Sequence, residues 1–209
     1  MARSVEHNQR MRDERREQIL SHASRLFAAR GLAATKIADI AAAAEMSQGL
    51  LYHYFRSKDE ILTELIRDAF QKMNSAARAL EELPQPPSEK IRMAIAQLLR
   101  SIEESEDFAA TVLLIAHAGL SDATPEAAQA ILREESGTPY AVIARILRAG
   151  QRDGSVKAHD ADEMSLLFWA AIKGLALHRA VYGAAYKGPD PLILTSMFLT
   201  EESRGERNA

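Results

Sequence analysis

TKIADIAAAAEMSQGLLYHYFRSK, residues 35–58, decides how the rest of the chain is read. Ile37, Ile40, Ala41 and Ala44 recur at helical spacing, so a first short helix has one apolar face. Ser47 then opens a second helix as its N-cap, because a serine hydroxyl can accept from an amide of the first turn. That helix is about two turns long at 3.6 residues per turn. Leu51 and Phe55 lie four apart and face the core, while Gly49, Tyr52 and His53 stand on the other side, flanked by Gln48 and Leu50. A stubby helix held by its apolar face, with hydrogen-bonding and aromatic groups on the other, suits a DNA major groove.

Working outward, a helix is expected from Arg12 to Ala29, with Ile19, Ala23, Leu26 and Phe27 on one face and Gly31 ending it. Residues 1–11 read as a flexible arm. Ser57, followed three residues later by Glu60, is a capping box that opens a fourth helix through Ile61, Leu65 and Phe70 towards Leu80. Pro84-Gln85-Pro86-Pro87 breaks the chain, and Ser88 caps a helix bearing Ile91, Ile95, Leu99 and Ile102. Further helices are expected at about Glu106 to Ala118, from Thr124-Pro125 to about Arg152, at Ala161 to Tyr182, and at Pro189 to Glu201. Pro139 sits inside the second of these and predicts a kink or a split, since proline lacks an amide and clashes with the preceding turn. Residues 153–160 and 183–188 are loops, and the polar tail is expected to fray. The fold class is all-α, with about nine helices.

Ile37-Ala38-Asp39-Ile40-Ala41, Ala44, Ser47 and Leu51-Tyr52-His53-Tyr54-Phe55, with Ser57-Lys58 following, resemble the DNA-binding half of the tetracycline-repressor (TetR) family of transcriptional regulators. The resemblance covers residues 12 to 66 in order, spacing and N-terminal position. It implies a three-helix helix-turn-helix domain over residues 1–60 and a C-terminal helical ligand-binding and dimerisation bundle over residues 61–209. One departure is Glu45, where the family usually has glycine in the turn. A non-glycine residue held in a left-handed turn costs about 1–2 kcal/mol.

Composition fits that organisation. The chain has no cysteine, so disulfides and thiolate zinc sites are excluded. The N-terminus is polar, and the apolar stretch from Ser165 to Tyr186 carries Lys173, His178 and Arg179, too polar for a membrane span. A cytoplasmic location with no membrane partner is therefore expected. The net charge of −3 divides unevenly, with ten Lys/Arg against eight Asp/Glu in residues 1–60 and sixteen against twenty-one afterwards. The positive end favours nucleic acid.

The residues expected at DNA are Thr35, Lys36, Ser47, Gln48, Gly49, Leu50, Tyr52, His53, Tyr54 and Lys58. Tyr52 can stack on sugar or donate to phosphate, His53 can donate to base or phosphate, and Gln48 can reach an adenine edge. Gly49 allows close backbone approach. Tyr54, nearer the buried face, either packs or reaches a phosphate. Lys58 and the amides at its helix start form a phosphate clamp, and Thr35 combines capping with a phosphate contact. Arg3, Arg10, Arg12, Arg15 and Arg16 alternate with acids and read mostly as a solvated helical face.

Candidate pocket residues are Phe70, Met73, Leu98, Phe108 and Leu113, with His117, Tyr140, Trp169 and Lys173. Most such apolar residues serve the core, and some line a ligand cavity. His117 and His178 have no second ligand at metal-binding spacing, so no metal or cofactor is expected, and each reads as a pocket-lining or hydrogen-bonded core histidine. A dimer interface is expected from Leu167, Ala171, Gly174, Leu175 and His178, with Leu194, Met197 and Phe198 of the final helix.

The function these readings favour is a homodimeric regulator bound to a palindromic double-stranded operator and released by a small-molecule effector. An all-helical small-molecule or lipid-binding module without DNA binding is the alternative, and the intact LLYHYF segment argues against it. An enzyme lacks a supporting constellation: there is no glycine-rich phosphate loop, activated nucleophile or recognisable carboxylate pair.

Overall fold

The computed structural model describes residues 2–201, without the side chains of residues 2–6 and 8. Ten α-helices run through the described residues: α1 Ala2–Ala34, α2 Ile37–Ala43, α3 Gln48–Tyr52, α4 Lys58–Glu82, α5 Pro87–Glu104, α6 Glu106–Leu120, α7 Glu126–Glu135, α8 Gly137–Arg152, α9 Ala161–Tyr182 and α10 Pro191–Phe198. The all-α expectation holds, and the only pairing of strand type among these residues is a single bridge between Val156 and Leu199.

The N-terminus departs from the expected arm, because α1 begins at Ala2. Gln9 bonds Asp13 at 2.9 Å and Arg10 bonds Glu14 at 3.0 Å, pairs four apart that favour helix. The Arg3 side chain and the polar tail beyond residue 201 lie outside the described residues. α1 bends at Gly31, whose φ of 74° is left-handed.

The chain forms two compact units. The first comprises Met1–Ala69 and Ala110–Leu132, and the second Phe70–Ala109 and Arg133–Ala209. The cuts fall inside α4, α6 and α7, whereas a single boundary at residue 60 was expected. A continuous helix changes neighbours along its length, so no loop marks the change in sequence.

In the first unit, Ile19, Ala23 and Phe27 of α1 join Ile40, Ala41, Leu51, Phe55, Ile61 and Ile66 in the core. In the second, α8 and α9 pack together and both pack on α5, as does α10. Phe168 meets Trp169 edge-on at 5.3 Å and Phe198 at 5.9 Å. The loop after α8 folds back so closely that a Cβ on Gly150 would lie 2.3 Å from Val156. Val156 donates its amide to the Gly150 carbonyl at 3.0 Å, and Lys157 donates to that of Phe198 at 2.9 Å.

Pro139 splits the expected long helix into α7 and α8, with Ser136 alone between them. Proline in the first turn of α8 loses no helical bond of its own, but it leaves the Glu135 carbonyl without the usual donor four residues on. Asn74 of α4 supplies one: its side-chain amide donates to that carbonyl at 3.4 Å and to the Glu135 carboxylate at 2.6 Å.

Candidate nucleic-acid interface

α3 is only five residues long, too short to hold itself together in water. Its neighbours fix it. Leu51 is 0% exposed and Phe55 1%. Ser47 caps the start as expected, its Oγ accepting from the Leu50 amide at 3.2 Å. Arg16 of α1 secures the end: its guanidinium lies 4.2 Å from the Phe55 ring centroid and donates to the Tyr54 carbonyl at 2.9 Å. The same guanidinium forks onto Glu64 of α4, with Nε at 2.7 Å from Oε1 and Nη2 on Oε2. Arg16 is thus a keystone of the first unit and not part of a solvated face.

The turn between α2 and α3 places Glu45 at φ 53°, so it does adopt the left-handed conformation. Its amide donates to the Ala42 carbonyl at 3.1 Å, and that of Met46 to the Ala41 carbonyl at 2.9 Å. These bonds and the buried Ile40, Ala41 and Ala44 hold the strained residue in place.

With one side locked, α3 presents the other to solvent. Lys36, Ser47, Gln48, Gly49, Leu50, Tyr52 and His53 are all exposed, Tyr52 at 52%. A Cβ on Gly49 would meet nothing closer than Ser47 Oγ at 4.0 Å, so no packing within the protein requires glycine there. Tyr54 is half-buried.

Two expected contacts are placed differently. Thr35 is 0% exposed, and its hydroxyl donates to the Gly31 carbonyl at 2.8 Å. Its side chain joins α1 to α2 and is withdrawn from any phosphate, while Lys36 takes the N-cap position. Lys58 turns its ammonium onto the carbonyls of Leu32 at 2.8 Å and Thr35 at 3.2 Å, leaving one N–H of three. At the start of α4 the Glu60 amide donates to Ser57 Oγ at 3.1 Å, and the Glu60 carboxylate accepts from the Arg56 amide at 2.6 Å. That is one residue further back than a reciprocal capping box.

The sequence profile described as "Bacterial regulatory proteins, tetR family" matches residues 19–65, the stretch that builds this surface. Residues 19–65 belong to the tetR family. The chain is 36% identical over 77 residues to the HTH-type transcriptional repressor KstR2 of Mycolicibacterium smegmatis, covering 37% of this chain and 38% of that protein. It is 49% identical over 53 residues to KstR2 of Rhodococcus jostii, covering 25% and 26%. The chain therefore spans less than half the length of these curated relatives. The solved ketosteroid transcriptional regulator KstR2 of Mycobacterium tuberculosis shares the fold, with a TM-score of 0.73 at 21% identity over 90% of this chain and 96% of that one.

Outside the tetR-family domain the other expected residues scatter. Phe70 and Trp169 are buried; Met73, Leu98, Phe108, Leu113 and Tyr140 are half-buried; Lys173 is exposed. Leu113 and His117 fall in the first unit and the others in the second. Lys173 donates to the Tyr140 hydroxyl at 2.7 Å, and the Tyr140 ring lies 5.9 Å from that of Trp169. Neither His117 nor His178 is a core histidine. Both are exposed, and His178 stacks on Tyr182 at 4.2 Å.

The expected dimer residues divide by face. Leu167, Gly174, His178 and Met197 are exposed, and Ala171 and Leu175 are half-buried. Leu194 at 7% and Phe198 at 2% point into the core of the second unit and leave the interface set. Leu166, Leu177, Val181, Leu192 and Ile193 are exposed in addition. By length and hydropathy α9 would pass for a membrane span, but its other face buries Met164, Phe168, Trp169 and Ile172.

Proposed function

We propose that the chain is a dimeric, sequence-specific DNA-binding transcriptional regulator, a repressor released from its operator by a small molecule. One observation carries this reading: the outward side of α3 combines Gln48, Gly49, Tyr52 and His53 on a helix whose inward side is fully buried. Base reading requires such a division, because reading groups must be free while their backbone is fixed. Lys36 and the remaining N–H of Lys58 supply phosphate contacts, and Tyr54 packs or reaches a phosphate. The curated relatives are named as repressors, which supports repression over activation.

Two copies pair through the exposed apolar faces of α9 and α10, and the reading helices then meet half-sites about 34–36 Å apart. A ligand that prefers one of two dimer shapes shifts the population towards it, and α4, continuous across both units, carries the change. Phe70, Met73, Leu98, Phe108, Tyr140, Trp169 and Lys173, all of the second unit, are the candidates for holding that ligand. The protein acts in the cytoplasm, where its DNA is.

Selection of bound duplexes from a random pool, repeated with candidate effectors, tests the reading. Enrichment of an inverted repeat, lost on adding one effector, is the expected result. A pool that stays random after several rounds at low ionic strength overturns it.

A further inference from the structure

The second unit contains a cleft of about 390 Å³ that the proposed function leaves unused. Its walls come from the end of α4, the start of α5 and one face of α8. Arg145, Arg148 and Arg152 recur at spacings of three and four on α8, so they share that face. Lys90 of α5 is the fourth cation, and Glu81 is the only acid in the lining. Pro87, Ile146 and Ala149 form the apolar part.

The four cations are not equally engaged. Glu81 takes a bidentate pair from Arg145, at 2.6 and 2.7 Å, and orients that guanidinium. The Arg145 hydrogen bond holds the Glu81 carboxyl below its usual range against the opposing effect of burial, and the charge of Lys90 adds to it. Lys90 gives one N–H to the Glu81 carbonyl at 2.6 Å and keeps two. Arg148 bonds Asp162 of α9 through Nη2 only. Arg152 has no ion-pair partner among the described residues. Donors thus remain on three side chains that line one concavity, where four cations are met by the carboxylate of Glu81 and, behind Arg148, that of Asp162.

We propose that this cleft binds a small molecule through a phosphate or diphosphate group. Phosphate suits it because guanidinium forks match its oxygens two at a time, and a concave cluster of one sign concentrates such an anion. Pro87 begins α5, an 18-residue helix whose N-cap, Pro86, offers no side-chain acceptor, so the positive end of that helix adds to the field. The volume lies in the range of small-molecule sites and exceeds a lone phosphate, leaving room for an organic part against Ile146 and Ala149.

Calorimetric titration of the full chain with inorganic pyrophosphate and with adenosine diphosphate, at constant ionic strength and with adenosine as the uncharged control, tests this. Saturable binding of both anions and none of adenosine is expected. Arg152→Ala and Arg148→Ala should each weaken it at least tenfold with unchanged melting temperature. Asp162→Asn, which frees Arg148, should tighten it severalfold, and Lys187→Ala, an exposed cation outside the cleft, should leave it unchanged. Absence of saturable binding, or binding that survives the double Arg148→Ala/Arg152→Ala variant, overturns the proposal. So does a variant pair that loses affinity for duplex DNA while pyrophosphate never titrates, which assigns the cleft to DNA. The site stands apart from operator recognition: a chain that ignores every duplex yet titrates with pyrophosphate overturns the proposed function and leaves this site intact.

Discussion

α3 and α9 both divide into a buried and an exposed face, and their exposed faces differ in kind. α3 shows solvent Gln48, Gly49, Tyr52 and His53 on five residues pinned by Leu51, Phe55 and Arg16. α9 shows Leu166, Leu167, Leu177 and Val181 along 22 residues. Polar groups on a rigid short helix are matched by a polar, patterned partner such as base edges. Large aliphatic groups along a long helix are matched by another apolar surface, for which a second copy of the same helix suffices. The proposed function thus gives one chain two interfaces of different chemistry, and substitutions should separate them.

The largest effect is expected inside α3. Leu51→Ala should cost about 2–5 kcal/mol of stability, as large-to-small changes in a core do. Chemical denaturation reads this directly, and a loss below 1 kcal/mol would mean that α3 is not pinned as described. Next comes the α9 face, where Leu177→Glu with Val181→Glu should take the molecular mass from twice 23.1 kDa to 23.1 kDa in light scattering. The fold should survive, because both positions are more than half exposed. A persistent dimer would move the subunit interface elsewhere.

Tyr52→Ala, beside Leu51 in sequence, should do the reverse of Leu51→Ala. Stability should change by less than about 0.5 kcal/mol, as for other exposed positions. Affinity for the selected duplex should fall roughly tenfold, at about 1–3 kcal/mol per specific contact. Gly49→Ala sharpens the contrast further. The added methyl meets open space, so helix propensity should raise stability by up to about 1 kcal/mol while DNA affinity drops. Equal or better DNA binding would show that no close backbone approach occurs there. The smallest effect belongs to Glu45→Gly, which relieves a left-handed residue and should stabilise by about 0.5–1 kcal/mol in a thermal melt.

The reading segment was legible because its determinants are local. The apolar spacing in α2, the Ser47 cap and the Leu51–Phe55 pair all act within one or two turns, and each appears as expected. Arg16 was misread because its partners are distant, and the two carbonyls that take up most of the Lys58 ammonium are distant as well, whereas Thr35 turns inward onto Gly31, only four positions away. Arg16 meets Glu64 48 positions away, and Lys58 meets Leu32 26 positions away. Pattern alone gives such residues the surface role their polarity suggests. α10 failed for another reason. Leu192, Ile193, Leu194, Met197 and Phe198 are apolar all round, so periodicity could not tell the faces of Leu194 and Phe198 from those of Leu192 and Ile193. The basic cleft escaped notice because Lys90 and the three arginines of α8 stand far apart in sequence and meet only across packed helices.

Anisotropy titration of a selected duplex at low ionic strength, with wild type and with Tyr52→Ala/His53→Ala, bears most directly on the α3 surface. Saturable binding by wild type and a loss of at least tenfold in the double variant, at equal melting temperature, is the expected outcome. Wild-type protein that leaves the duplex free, or a double variant that binds it as tightly, would contradict the account.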